Sequence, residues 1–231
     1  SLETPIGEEE RRRFREAAER AERQRLDLSD GRNLSRSKLS KTTNASFSVV
    51  ARAMEISLAR RGYRTWLSGT DIYDSIRSRT KRSPETEGFL APELYYVIDV
   101  VGVKARSSNR RFVARSFPLK SLDEVPAQLA LGRPVIAGAL VQDTWFKSTI
   151  VKSGVIDLDP KAHLQGGVMC ALVGWDPMHQ IAKILLPWPT WGKSGMGTIT
   201  RRALDAYLDR SGLRSVEPVL KQPIPFKRHA P

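Results

Sequence analysis

The sequence predicts an α+β chain in which helices come first and strands follow, preceded by a charged helical extension. Three observations carry this reading. Helical periodicity is concentrated between residues 44 and 102, short β-type runs separated by turn residues fill the chain after Lys104, and no internal repeat occurs. Of the 231 residues, 40% are hydrophobic and 27% charged, enough apolar material for a core and too much for wholesale disorder. The length exceeds a single domain of about 150 residues, so one domain plus an appendage is expected.

The first element is Glu8 to Arg25, a helix of charged residues with a thin apolar face of Phe14, Ala17, Ala18 and Ala21, and Leu26 just beyond. Acids precede bases at i,i+4 in Glu8/Arg12, Glu9/Arg13, Glu16/Arg20 and Glu19/Arg23. Each such pair adds about 0.2–0.5 kcal/mol. A helix of this kind either packs weakly on its own domain or docks on a partner in an assembly. Asp27 to Thr43 reads as a linker rich in Ser, Asn and basic residues.

Asn44 to Arg61 carries the strongest helical signal, with Phe47, Val50, Met54 and Leu58 at helical spacing and Ala51 and Ala53 allowing close packing. Thr43 or Asn44 caps it and Gly62 stops it. A second helix begins near Ser68, with Ile72 and Ile76 on one face. The third, Pro92 to Gly102, points Leu94, Ile98 and Val101 inward. Its Tyr-Tyr-Val-Ile content suits a strand as well, but Pro at the start and Gly at the end favour a helix. Beyond Lys104, Arg111 to Phe117, Pro134 to Val141, Gly167 to Trp175 and Gln180 to Leu186 read as strands. Leu122 to Leu131 is a short helix between them, stopped by Gly132.

Charge and composition narrow the function classes. The net charge of +13 raises the expectation of a polyanionic partner. Residues 1–41 hold 11 basic and 9 acidic side chains, while residues 42–120 hold 14 and 7, so the excess lies in the first half of the globular part. One cysteine, Cys170, excludes an internal disulfide framework and a cysteine-built zinc site, and three scattered histidines leave little for a metal. No cofactor is implied. No apolar stretch reaches the roughly 20 residues of a membrane span, and no signal-peptide pattern opens the chain, so a cytoplasmic location is expected.

Several segments together resemble the papain-like (C1) cysteine peptidases. The helix Asn44–Glu55, NASFSVVARAME, looks like that family's central helix, and Leu67-Ser68 with Ile72-Tyr73 resembles the opening of its next helix. Glu87-Gly88, then a helix ending in Gly102-Val103, resembles the approach to its bridging strand. Leu129 to Val135 resembles the entry into its second lobe. Gly166 to Asp176 is similar to the strand carrying its histidine, and Leu186-Pro187-Trp188-Pro189-Thr190-Trp191-Gly192 to its Asn-Ser-Trp-Gly segment. No piece is specific alone; their order and spacing over residues 42–208 carry the likeness. The resemblance implies a two-lobed domain at 42–231, with a helical lobe at about 42–110, an antiparallel β lobe at about 111–215 and a tail at 216–231. Residues 1–41 form the charged N-terminal helix and linker.

That family's chemistry needs a thiolate at a helix N-terminus, an imidazole facing it, an asparagine orienting the imidazole and a glutamine at the oxyanion. Carried over by position, the resemblance puts Ala45 at the nucleophile, Val168 at the histidine and Leu186 at the asparagine, while the glutamine falls near Lys38 or Leu39. Three apolar residues at three catalytic positions imply a pseudoenzyme and a cleft that is filled in. Ser46 as a displaced nucleophile lacks a base, and His163 reads as a surface loop residue. Cys170 shares a strand face with Val168 and reads as a buried, inert thiol. His179 and His229 read as surface residues. Trp188 and Trp191 read as core tryptophans, or else as the wall of a groove that grips a peptide.

Two basic clusters, Arg77, Arg79, Lys81 and Arg82, then Arg106, Arg110, Arg111 and Arg115, form either a solvated surface or a contact for nucleic acid or an acidic protein. The functional expectation is therefore a non-catalytic papain-like subunit that binds protein or serves a larger assembly. A nucleic-acid or ribonucleoprotein subunit is the second reading, and a hydrolase with displaced catalytic residues the third.

Overall fold

The computed structural model describes residues 8–29, 45–81, 89–209 and 212–221. In chain order the elements are α1 (Glu8–Arg23), β1 (Leu26–Asp27), α2 (Ala45–Arg60), α3 (Gly69–Thr80), α4 (Ala91–Tyr96, running into a π-helical turn at Val97–Val101), β2 (Val103–Lys104) and β3 (Arg111–Pro118). There follow α5 (Val125–Ala130), β4 (Val135–Gln142), α6 (Ser148–Ser153), β5 (Val155–Ile156), β6 (Leu164–Asp176), β7 (Ile181–Leu185), β8 (Met196–Thr200), α7 (Arg201–Tyr207) and β9 (Arg214–Leu220). Arg82, the Glu87-Gly88 pair, the caps Thr43 and Asn44, the positions at Lys38 and Leu39, and His229 lie outside the described residues.

α2 is buried on every side, not on one stripe. Phe47, Val49, Val50, Ala51, Ala53, Met54, Ile56 and Leu58 are all inaccessible, together with the polar Glu55 and Ser57. A helix apolar all round belongs between two layers, and α2 packs against α3 on one side and against β6 and β9 on the other. Contact with α3 is close enough that a Cβ on Gly69 would lie 2.8 Å from the Ser48 backbone. Ser68 caps α3, its hydroxyl accepting from the Asp71 amide at 3.1 Å.

Glu55 brings a charge into this layer. Its carboxylate accepts from the Leu67 amide at 2.7 Å and pairs with Arg52 at 3.0 Å, which ties α2 to the chain entering α3. Burial pushes its carboxyl above the usual range, even though both partners favour the ionised form.

The strands form one sheet in the order β2-β3-β9-β4-β6-β7-β8-β5, antiparallel throughout except for the short β5–β8 pair. β6 is its axis, with Val168 opposite Ala139 and Cys170 opposite Ala137 on β4. β9 runs to Leu220, so the expected boundary between β lobe and tail at residue 215 falls inside a strand. Pro218 is tolerated there because β4 pairs only with Arg214 and Ser215, leaving no ladder bond for the missing N–H.

The N-terminal extension packs on its own domain. Ala17 and Ala21 are buried where α1 meets α5, and Arg20 donates to the Ala130 carbonyl at 2.5 Å. The side-chain pairs on α1 run from Arg12 to Glu9 and Glu16 and from Arg13 to Glu10. Glu10 also reaches the buried Arg133 at 2.7 Å, and Arg133 binds Glu217 of β9 at 2.6 Å. Asp27, expected to open a linker, instead forms β1 with Leu26 beside Trp175 and Gly174 of β6, beyond the point where β4 begins. Gly174 is required there, since a Cβ would come within 2.7 Å of the Leu26 carbonyl oxygen. Burial opposes the charge on Asp27, but hydrogen bonds from Lys183 and Ser29 outweigh it and hold the carboxyl below its usual range.

Replacing Glu55 by alanine strands the Leu67 amide in the interior and takes the carboxylate from Arg52. The expected loss is about 3 kcal/mol, read as a lower urea midpoint with an unchanged slope; an unaltered midpoint would refute the role given to Glu55.

Candidate functional site

The first turn of α2 opens onto a cleft of about 570 Å³ between the helices and the sheet. Ala45, Ser46 and Phe47 supply one wall and Gly167, Val168 and Met169 of β6 face them. Gly138, Ala139 and Leu140 of β4 continue the β wall, and Phe89, Ala91 and Tyr95 the helical one. Pro187, Trp188, Asp209 and Gly212 complete the lining. The cleft is therefore open, and the expectation that apolar replacements fill it is corrected. Alanine and valine are smaller than the pair of groups the resemblance implies, so they leave space.

Two of the three positions singled out for catalysis come together here. Ala45 begins α2 and Val168, half-buried on β6, lines the same cleft. The two walls are joined beside them, where the Met169 amide donates to the Ser46 hydroxyl at 3.2 Å. Leu186 is fully buried and does not line the cleft; its amide donates to the Gly195 carbonyl at 2.8 Å.

The two tryptophans separate. Trp191 is a core residue whose indole donates to the Trp145 carbonyl at 2.9 Å. Trp188 stands at the cleft, its ring edge-on to Phe146 with centroids 5.0 Å apart. Phe47 is held by Phe89 at 4.7 Å and Tyr73 at 6.0 Å, which stiffens the start of α2.

Neither histidine nor cysteine occurs among the residues lining the cleft. Its titratable groups are Tyr95 and Asp209. Burial pushes the Tyr95 phenol up to about 12, and its hydroxyl donates to the Gly212 carbonyl, so it stays protonated at neutral pH. The Asp209 backbone donates to Gly138 at 2.9 Å. Ser46 thus has a hydroxyl at the cleft, with no imidazole among the described lining residues. His163 is exposed outside the cleft, exchanging bonds with Asp143 through its backbone amide at 3.0 Å and carbonyl at 2.9 Å. His179 sits in the β6–β7 turn, 3.0 Å from Asp176. Cys170 is fully buried opposite Ala137, and burial pushes its thiol up to about 12.

The basic residues divide by how they are engaged. Arg111 is bound by both oxygens of Asp71, at 2.8 and 2.9 Å, and donates to the Gly102 carbonyl at 2.6 Å. Arg106 donates to the Leu67 carbonyl at 2.9 Å. Arg77, Arg79 and Lys81 lie at the other end of α3, about 12 Å further along the helix. Arg79 stacks 4.0 Å over the Tyr96 ring. Arg110 and Arg115 are exposed.

Sequence reasoning did not find Tyr95, Gly138, Asp209 and Gly212 as cleft residues, because they come from separate elements that only tertiary folding brings together. Among the described residues no three His, Cys, Asp or Glu side chains gather as metal ligands would, and no helix is long and apolar enough to cross a membrane.

This architecture is that of the papain-like cysteine proteases. Xylellain, a cysteine protease from Xylella fastidiosa, aligns over 84% of this chain and 86% of its own with a TM-score of 0.69 and 15% identity. The proform of Amb a 11, a cysteine protease and ragweed pollen allergen, aligns over 85% of this chain and 65% of its own, with a TM-score of 0.60 and 17% identity. Procathepsin B S9 from Trypanosoma congolense aligns over 89% and 76%, with a TM-score of 0.56 and 15% identity. No protein-family model matches the chain, and no curated protein matches it in sequence.

A thiol raised this far carries almost no thiolate at neutral pH. Iodoacetamide at mildly alkaline pH is therefore expected to leave the folded chain unmodified and to label Cys170 once urea unfolds it. Rapid labelling of the native protein would contradict the burial described.

Proposed function

We propose that the chain is a non-catalytic papain-like protein whose cleft holds an extended peptide without cutting it. The observation that carries this reading is the pair Ala45 and Val168, brought to one open cleft in a papain-like framework with no imidazole or thiol among the described lining residues. Acyl transfer by that framework needs an ionised nucleophile and a base, and neither an alanine methyl nor a valine isopropyl group supplies either function. Binding has no such requirement. The cleft's volume lies within the usual range for ligand sites, about 300–1,000 Å³. Its apolar walls include the half-exposed Leu140 and Trp188, and Gly167 leaves β6 backbone accessible for main-chain hydrogen bonds to an extended chain.

The partner is then an apolar, unstructured segment of another protein. A nucleic-acid role resting on the two basic clusters has less support, since Arg111 and Arg106 are committed to internal partners and Arg79 to an aromatic ring. A displaced hydrolase centred on Ser46 has less support, since no imidazole stands among the described residues lining the cleft.

Incubation with a library of unstructured peptides tests the reading, with mass spectrometry following cleavage and Trp188 fluorescence following binding. The expected outcome is intact peptides and saturable binding that Val168→Arg abolishes while the fold is kept. Cleavage that disappears in Ser46→Ala would overturn it in favour of a hydrolase.

A further inference from the structure

A second cavity, of about 880 Å³, lies between the N-terminal extension and the body of the domain and shares no lining residue with the cleft. Its walls come from α1 and β1, the end of α2, the turn between α5 and β4, and β9. Six arginines line it: Arg13, Arg20 and Arg25 from the extension, and Arg60, Arg61 and Arg133 from the domain. Asp27 and Glu217 are the carboxylates present, and both are engaged, Asp27 with Lys183 and Glu217 with Arg133 and Arg61.

Not all six guanidinium groups have a structural use. Arg133 is buried between Glu10 and Glu217 and stacks 4.3 Å over Phe117. Arg20 and Arg61 donate to the carbonyls of Ala130 and Pro218. Arg13 shares Glu10 with Arg133, at a longer 3.5 Å. Arg25 and Arg60 are exposed to the cavity with no carboxylate partner among the described residues. Both sit near helix C-termini, whose carbonyl dipoles soften the mutual repulsion but supply no counter-ion.

We propose that this cavity binds a small molecule bearing two or more phosphate groups, which clasps the extension to the domain. Arginine's planar fork matches phosphate oxygens two at a time, and no lysine lines the cavity. Cations stand on both the extension and the domain sides, so a compact polyanion between them removes a repulsion that otherwise pushes the extension away. No aromatic side chain lines the cavity, so recognition rests on the phosphates and not on stacking with a base.

Calorimetric titration of the full chain with inorganic tripolyphosphate, pyrophosphate and orthophosphate at matched ionic strength tests the proposal. A single saturable site is expected, with affinity rising with phosphate number. The Arg25→Gln/Arg60→Gln variant, folded by near-ultraviolet circular dichroism, should bind at least about tenfold more weakly. Arg115→Gln, outside the cavity, should bind as the parent does. Tripolyphosphate should also slow proteolysis between Gln24 and Ser29. Absence of saturable binding, a double variant that binds like the parent, or a short oligonucleotide that binds the same arginines more tightly than tripolyphosphate would each overturn it.

Discussion

The burial of α2 between the helices and the sheet is the constraint from which the remaining structure follows. Sixteen residues with almost no exposed side chain leave no freedom to slide or rotate, because any shift would drive Phe47, Met54 or Leu58 out of a filled position. Fixing α2 fixes where its first turn emerges, and that point is the cleft. Glu55 sets the register along the axis, since its carboxylate has one amide, that of Leu67, to accept from. On the opposite side Ser57 donates to the Gly132 carbonyl at 3.1 Å and links the same helix to the turn that starts β4. A buried charge is a costly way to fix position, but it discriminates sharply against neighbouring registers.

This arrangement shows how the papain-like framework stands with Ala45 and Val168 at the cleft. The wall-to-wall bond from the Met169 amide to the Ser46 hydroxyl and the aromatic contacts of Phe47 do not involve the positions at Ala45 and Val168. Stability therefore does not depend on a nucleophile or a base, and replacement there leaves the cleft standing. Leu186 behaves differently. It has joined the core and does not line the cleft.

The parts of the fold legible in the sequence are those with local periodicity. α2, α3, β4 and β6 announce themselves through spacing, and Ser68 and Gly132 mark a start and a stop. β8 and β9 were hidden: MGTIT is short and glycine-containing, and Pro218 argues against a strand unless its missing ladder partner is known. α7 carried a usable signal, with Thr200 as cap and Ala203, Leu204 and Tyr207 at helical spacing. In the cleft, Ala45 and Val168 were legible through resemblance, whereas Asp209 and Tyr95 reach it only by tertiary folding. The six cavity arginines were illegible as a group for the same reason. Three come from the extension, two from the end of α2 and one from the turn before β4.

The extension completes the domain instead of hanging from it, through β1 on β6, Asp27 on Lys183 and Glu10 on Arg133. The proposed reading of the cleft is that Ala45 and Val168 face each other in a papain-like geometry that lacks the thiol and the imidazole. Introducing Ala45→Cys together with Val168→His and measuring alkylation of the new thiol against pH tests this directly. Retained geometry predicts a thiol paired with the imidazole and reactive well below pH 7. A rate that rises only toward about pH 8.5, as for a free thiol, would show that the two walls do not face each other as described.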